Sequence, residues 1–423
     1  MKILFLLGFP NPYSGAGWTR IGFLTDAWSR RGHSIEVLGA FTYKSFQKRG
    51  VAELGKADLF NLIFHIDLDH PLIFAINSLV SFIVSLFLLA ARKPSIAIVS
   101  VPTGDVGLGA LTACRLTRVQ CVVDYRDEWE DYTISCSDHR IEKLFYSVAK
   151  KFACCLYAKS RLVTAVTSNI VKALERRGLT NVVLIPNGAD ARTFKPPVNE
   201  KVVKQIFKIF YSGGIGGYYR LDIAVRSINR LVDSGVRNVK LVLVGTGEVQ
   251  KVQGLAASLG ISSNIEYLGK IDDKARLAEL IAGADAGLIP YDDNPLWRNS
   301  LPAKLFEYCS CGIPVIATAY EDSLLAEFIR EYRVGITSPP MNEEKLAEAI
   351  YWMQQNRVFR EAAGKSARSL IEEKFDRNKI ADDFLNLLKT VDLGHQTCRF
   401  DEELFGCRLK EHMCPLTNIW SRG

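Results

Sequence analysis

Several signatures of common protein classes are missing from this 423-residue chain. Its 10 cysteines lack the spacing of a disulfide framework, so an oxidised miniprotein is excluded and a reducing compartment is expected. Low-complexity tracts are also missing, and with 48% hydrophobic and 23% charged residues the chain is neither disordered nor collagen-like. No secretory leader is evident. Ile3–Leu7 follows a single lysine and runs into GFPNPYSGAG, without the apolar length or small-residue cleavage site of a signal peptide, so it reads as a buried strand. Charge of one sign is in only slight excess: 53 basic against 46 acidic residues give +7, which suits phosphates or a lipid surface and is too diffuse for nucleic-acid binding. The dinucleotide fingerprint G-x-G-x-x-G is not completed after Gly15-Ala16-Gly17, nor at Gly245-Thr246-Gly247, where Gln250 holds the third glycine position. Nicotinamide binding is therefore poorly supported.

One long apolar run is present, Leu72–Ala91, followed by Arg92 and Lys93. Its length would suit a membrane span. Strand-like runs flank it on both sides, however, and a span would place parts of one sheet on opposite sides of a bilayer. A crossover helix, either buried or lying on a membrane surface, is the preferred reading.

The rest of the chain alternates β-branched runs with helical patterns, which calls for parallel sheets covered by helices. Strands are expected at 2–7, 34–38, 59–66, 95–100, 120–124, 162–165 and 182–186, and again at 208–212, 240–244, 264–268, 286–289, 315–318 and 334–336. The loop PNGADARTFKPPVNE (186–200) interrupts this rhythm. The expected fold class is α/β with two Rossmann-like, doubly wound domains facing across a cleft. Ligands in such sheets bind outside the carboxyl ends of the strands.

Three loops there carry chemistry. Gly15 and Gly17 precede a helical pattern and serve equally well as an anion cradle or as a tight strand-to-helix turn. The segment YSGGIGGYYRLD places Gly213, Gly214, Gly216 and Gly217 before Arg220. A flexible glycine-rich turn beside a cation suits a diphosphate, whereas an isolated arginine there would be an ordinary solvated helix start. In IPYDDNPLWRNSLPAKLFEYCSCGIPVIAT, Lys304 and Glu307 share one helix face at i and i+3. They could neutralise phosphate and accept ribose hydroxyls, or simply form an intrahelical ion pair.

LPAKLFEYCSCGIPVIA closely resembles the donor-binding motif of the retaining GT-B glycosyltransferases of family 4. Other segments resemble that family in the same order. VDYRDEW (123–129) is similar to the acceptor-domain segment of members that build surface polysaccharides and glycan precursors, and LIPNGADARTF (184–194) to the interdomain segment. LVLVGTGEV and IEYLGKI match its next two strand ends, and FDRNKIADDFLNLL its closing helix, so the likeness covers about residues 1–391.

The resemblance implies an acceptor domain over 1–187, closed by a helix at about 375–391, a donor domain over 188–374 and a tail over 392–423. It implies that Glu307 holds the ribose, while Leu301, Pro302 and Lys304 lie on the turn beside the diphosphate and sugar. Gly213 and Gly214 belong to the donor loop, and Arg220 falls where many members place a phosphate-binding lysine. Gly214 replaces the family's preceding arginine, and Asn299 replaces the first glutamate of E-x7-E. Arg126 and Asp127 occupy the loop where many relatives have a histidine, and Asp127 is the candidate for orienting the acceptor hydroxyl.

The implied reaction is retaining transfer from a nucleotide diphosphate sugar to a saccharide or lipid-linked saccharide. Arg220, Lys304 and helix amides would stabilise the leaving group, with no metal and no cofactor. Asp67-Leu68-Asp69 resembles D-x-D but is too short to carry a metal site on its own. The tail residues His395, Cys398, Cys407, His412 and Cys414 match no standard zinc spacing. Alternatives are a nucleotide-sugar 2-epimerase of the same architecture and a non-catalytic sugar-nucleotide-binding or scaffold protein. The apolar run, with Arg92, Lys93, Lys150 and Lys151, leads to an expected peripheral position on the cytoplasmic face of a membrane.

Overall fold

The computed structural model describes residues 1–12, 16–48, 50–54, 56–197, 206–217 and 219–392. Gly15 and the cysteine- and histidine-containing tail lie outside the described residues. In the first half, β1 (Lys2–Leu7), β2 (Ser34–Phe41), β3 (Gly50–Leu54), β4 (Ala57–Phe64), β5 (Ile96–Val101), β6 (Gln120–Tyr125), β7 (Leu162–Ala165) and β8 (Val182–Leu184) form one sheet. Its order is β3-β4-β2-β1-β5-β6-β7-β8, and only the β3–β4 pair is antiparallel. In the second half, β9 (Phe207–Ile215), β10 (Val239–Gly247), β11 (Ile265–Tyr267), β12 (Ala286–Pro290), β13 (Val315–Thr318) and β14 (Gly335–Ser338) form a parallel sheet. Its order is β11-β10-β9-β12-β13-β14.

Both sheets are covered on two faces, which is why their strands read as continuous apolar runs. The alternation is visible in β1. Ile3, Phe5 and Leu7 pack with Trp28 and with Phe384 and Leu388 near the C-terminal end of the described chain, while Leu4 and Leu6 face the opposite core with Val106 and Leu111. In β9, Ile209 and Tyr211 face one core and Phe210 the other.

The helix Arg377–Asp392 returns to the first domain. Trp28 Nε1 donates to the Ala381 carbonyl at 2.9 Å, and the Trp28 and Phe384 rings meet edge-on at 5.4 Å. The chain crosses where Ala189 N donates to Phe375 O and Arg377 N to Ala189 O. A Cβ on Gly188 would lie 2.4 Å from Phe375 O, so the crossing has room only for glycine.

The apolar run forms the helix Pro71–Arg92, long and apolar enough to cross a membrane by length and composition. It connects β4 to β5 within one sheet. Its few polar residues face inward. Asn77 bonds Ile66 and Asp105, Ser78 and Ser81 donate to the Asp105 and Val106 carbonyls, and Gly109 lets the helix Gly104–Thr117 approach closely. Leu72, Ile76, Leu79, Ile83 and Phe87 are left on the exposed face. Phe82 and Leu86 are instead partly buried against the core.

Candidate active site

Strand order reverses direction of winding between β9 and β12, and the loops leaving these two strands meet at that switch point, where open α/β sheets bind ligands. The β12 loop leads into the helix Ala303–Ser310, whose N-cap is Pro302. Leu301 packs against the core beneath it.

Lys304, in the first turn, is 7% exposed, and its Nζ has no hydrogen-bond partner. The ammonium lies 4.0 Å from the Tyr211 ring centroid and 3.6 Å from that of Tyr219. Burial pushes it well below the ordinary lysine range, against the pull of Glu307. Glu307 is also buried, and among the described residues no ion pair joins the two. The simple intrahelical pair is therefore not formed, and two charged groups stand desolvated at one helix start. A buried ammonium without a hydrogen-bond partner marks a candidate functional site.

Gly213 completes this corner. Its φ is +140°, and a Cβ there would lie 2.9 Å from Lys304 Nζ. The glycine run is not a loose loop. It continues β9 alongside Gly245 and Gly247 of β10, which approach so closely that a Cβ on Gly245 would strike Gly213 O at 1.8 Å. Gly214 faces open space, and its carbonyl accepts from the Tyr211 hydroxyl.

Arg220 borders a cavity of about 300 Å³ with Gly216, Gly217, Glu248 and Lys251. Its guanidinium is engaged by Asp222 at 2.8 and 2.5 Å and reaches Met341 Sδ at 2.9 Å. The hydrogen bond to Asp222 raises it further above an already high value. To reach a phosphate it would have to leave or share this partner.

In the first domain, Gly17 and Arg126 come together: a Cβ on Gly17 would lie 2.8 Å from Arg126 Nη1. Arg126 donates to Pro102 O and lies over Phe9, and burial lowers it, with Asp124 and Asp127 opposing. Asp127 is crowded by protein yet keeps an accessible side chain at the cleft. Crowding raises its carboxyl above the usual carboxylate range, with Arg126 opposing. Asn299 crosses to the same region, donating to Glu128 at 3.2 Å.

Four contributors are not evident from the sequence. Arg377, 8% exposed, donates to Gly188 O and feels the charge of Glu307. Tyr211 and Tyr219 cage Lys304, and their position beside the glycine run is the only local hint. Arg20 holds Asp124 through a buried ion pair at 3.1 Å and donates to Pro186 O. Asp67 and Asp69 follow β4, and among the described residues no group of three or more His, Cys, Asp or Glu forms a metal-sized cluster.

Two parallel-sheet domains, the second with Lys304 and Glu307 buried at a helix start, define a GT-B architecture. Residues 193–370 match the glycosyl transferases group 1 family. It is 26% identical to the lipopolysaccharide glucosyltransferase WaaG of Escherichia coli over 44% of this chain and 46% of that protein. It is 27% identical to a GDP-mannose-dependent phosphatidylinositol dimannoside mannosyltransferase of Mycobacterium tuberculosis over 40% and 42% of the two chains. The match thus spans under half the length of these curated relatives. The fold is similar over nearly the whole chain to sucrose-phosphate synthase from Thermosynechococcus elongatus, with TM-score 0.76 and 16% identity over 93% of this chain and 100% of that one. It is also similar to the WaaG crystal structure, with TM-score 0.65 and 14% identity over 91% and 99%.

Proposed function

We propose that this chain is a retaining, metal-independent glycosyltransferase that moves a sugar from a nucleotide diphosphate sugar to a saccharide or lipid-linked saccharide. The observation that carries this reading is the unpartnered Lys304 ammonium at the N-terminal turn of Ala303–Ser310, facing Gly213 with Glu307 one turn behind. A diphosphate placed there gains a cation in a low-dielectric site together with helix amides, and charge developing on the leaving group is stabilised without reorganisation. Glu307 accepts ribose hydroxyls. Arg220, released from Asp222, adds a second cation. Asp127 and Arg126 face the acceptor, and the hydroxyl attacks the sugar face that the diphosphate leaves.

The acceptor domain works at the cytoplasmic face of a membrane. Ile141, Leu144, Val148 and Phe152 of the helix Arg140–Lys159 form a second exposed apolar ridge, with Arg140, Lys143 and Lys151 exposed among them, on a helix that meets Pro71–Arg92 where the Phe74 and Phe145 rings lie 5.9 Å apart. Such a surface favours the headgroup boundary over water. Lys150 contributes less than its sequence position suggests, because it is paired with Asp131, and Arg92 is held near Glu36 at 3.7 Å. The relatives named for lipopolysaccharide and phosphatidylinositol dimannoside act on lipid-borne glycans by their names, in keeping with this placement. Nucleoside diphosphate release, measured over a panel of sugar nucleotides with and without lipid-linked acceptors, tests the reading. Acceptor-dependent release with one donor supports it; no release with any donor, or release independent of acceptor, overturns it.

A further inference from the structure

Asn299 reaches the other domain through three hydrogen bonds. Its Nδ2 donates to Glu128 Oε2 at 3.2 Å, its Oδ1 accepts from Asn169 Nδ2 at 3.1 Å, and its carbonyl accepts from Thr167 Oγ1 at 3.3 Å. The side-chain amide is used at both ends with opposite polarity, which a carboxylate could not reproduce.

Glu128 is presented rigidly. Its other oxygen, Oε1, accepts from Arg177 Nη2 at 3.0 Å, and Arg177 also engages Asp131 at 2.7 Å and the Tyr125 hydroxyl at 3.1 Å. Glu130, beneath, accepts from Tyr125 and Tyr157. One Glu128 oxygen is therefore occupied and the other is aimed at Asn299. On the donor side, Asn299 ends the turn Pro295–Asn299, in which Trp297 stacks on Tyr291 at 4.8 Å. Tyr291 stacks on Tyr219 at 5.4 Å, and Tyr219 covers Lys304. A continuous set of contacts joins the interdomain bonds to the ammonium in the donor site.

We propose that Asn299 and Glu128 form an interdomain clasp that holds the cleft closed, with Asn299 a positioning residue for the loop leading into the Lys304 helix. The clasp goes beyond the transferase reading, since closure is measurable without turnover. It also gives position 299 a role that explains an amide there. A glutamate would set a second carboxylate against Glu128 Oε2, whereas asparagine donates to it.

The test is small-angle scattering of the ligand-free full chain, with the melting temperature of each variant recorded to establish folding. Asn299→Glu should lower the closed-to-open ratio at least about tenfold and enlarge the radius of gyration, because like charges then face each other. Glu128→Gln should leave closure near wild type, since its amide oxygen still accepts from Asn299. The double variant should close again, because the new amide can donate to the new carboxylate. Where a donor and acceptor are in hand, kcat/KM should fall and recover in the same order. A folded Asn299→Glu protein as compact as wild type, or a double variant that stays expanded, would overturn the clasp. Scattering that follows the expected order in a protein inert toward every sugar nucleotide would support the clasp while refuting the transferase reading.

Discussion

Replacing Lys304 by methionine should make the protein more stable and far less active. Lys304 is 7% exposed and its buried ammonium has no hydrogen-bond partner, so folding removes it from water with little return. The effective penalty for burying one ion is several kcal/mol. Against it stand two cation–π contacts, at 4.0 and 3.6 Å, of about 1 kcal/mol each, and the attraction of Glu307. Desolvation wins by a margin of about 1–2 kcal/mol, and methionine fills nearly the same volume without charge. For a domain of this size that is a rise of roughly 2–8 °C in melting temperature.

The sign with pH follows from linkage. A lysine depressed in the folded state binds fewer protons there than in the unfolded chain, so wild-type stability rises with pH toward the ordinary lysine value. The advantage of Lys304→Met should therefore be largest at neutral pH and shrink as pH approaches about 10. Transfer should fall by about 10²–10³, the usual loss on removing a preorganised charge from a developing anion. Calorimetric melting of both proteins across pH, with transfer assayed in parallel, measures both effects. A lower melting temperature for Lys304→Met, or transfer near wild type, would refute the reasoning.

Three further outcomes are expected. His65 and Asp105 sit 3.0 Å apart; burial works against the imidazolium but the Asp105 hydrogen bond outweighs it and raises His65, so this pair stabilises fully below about pH 6.5 and fades as pH rises through the raised value. Asp105→Asn should accordingly lower the melting temperature more at pH 5.5 than at pH 8.5, and an equal loss at both would contradict the assignment. Transfer should survive chelator, since the proposed stabilisation uses Lys304, Arg220 and amides; complete loss restored by magnesium or manganese would overturn that point. The protein should float with anionic liposomes, less so in high salt, and Leu79, Ile83 and Phe87 changed together to serine should keep it at the bottom of the gradient. Flotation unaffected by those changes would remove the membrane surface from the account.

The sheets were largely legible because strands buried on both faces leave unbroken apolar runs. The antiparallel edge strand Gly50–Leu54 was not, being short and set between polar segments. The glycines at 213 and 214 read as a loop, yet they extend β9, because matching glycines on β10 let the two backbones approach where any Cβ would collide. Pro71–Arg92 has few polar residues, and its outer face is apolar. The destination of those polar residues, against the helix Gly104–Thr117, depends on backbone carbonyls that no local pattern reveals. In the donor motif, spacing placed Lys304 and Glu307 on one face but could not tell an ion pair from two separately buried charges. That Arg220 is bound to Asp222, two residues on, is visible only in three dimensions, as is the meeting of Asn299 with Glu128 across 171 positions of chain.

Calorimetric titration with a set of nucleoside diphosphates measures directly whether the second domain holds a nucleoside diphosphate at Glu307 and Lys304. Wild type should bind at least one of them. Glu307→Ala should bind it at least about tenfold more weakly, the loss of one or two charge-assisted hydrogen bonds to ribose, while melting as a folded protein. Equal affinity in the two proteins, or a wild type that binds none of the set, would contradict the account.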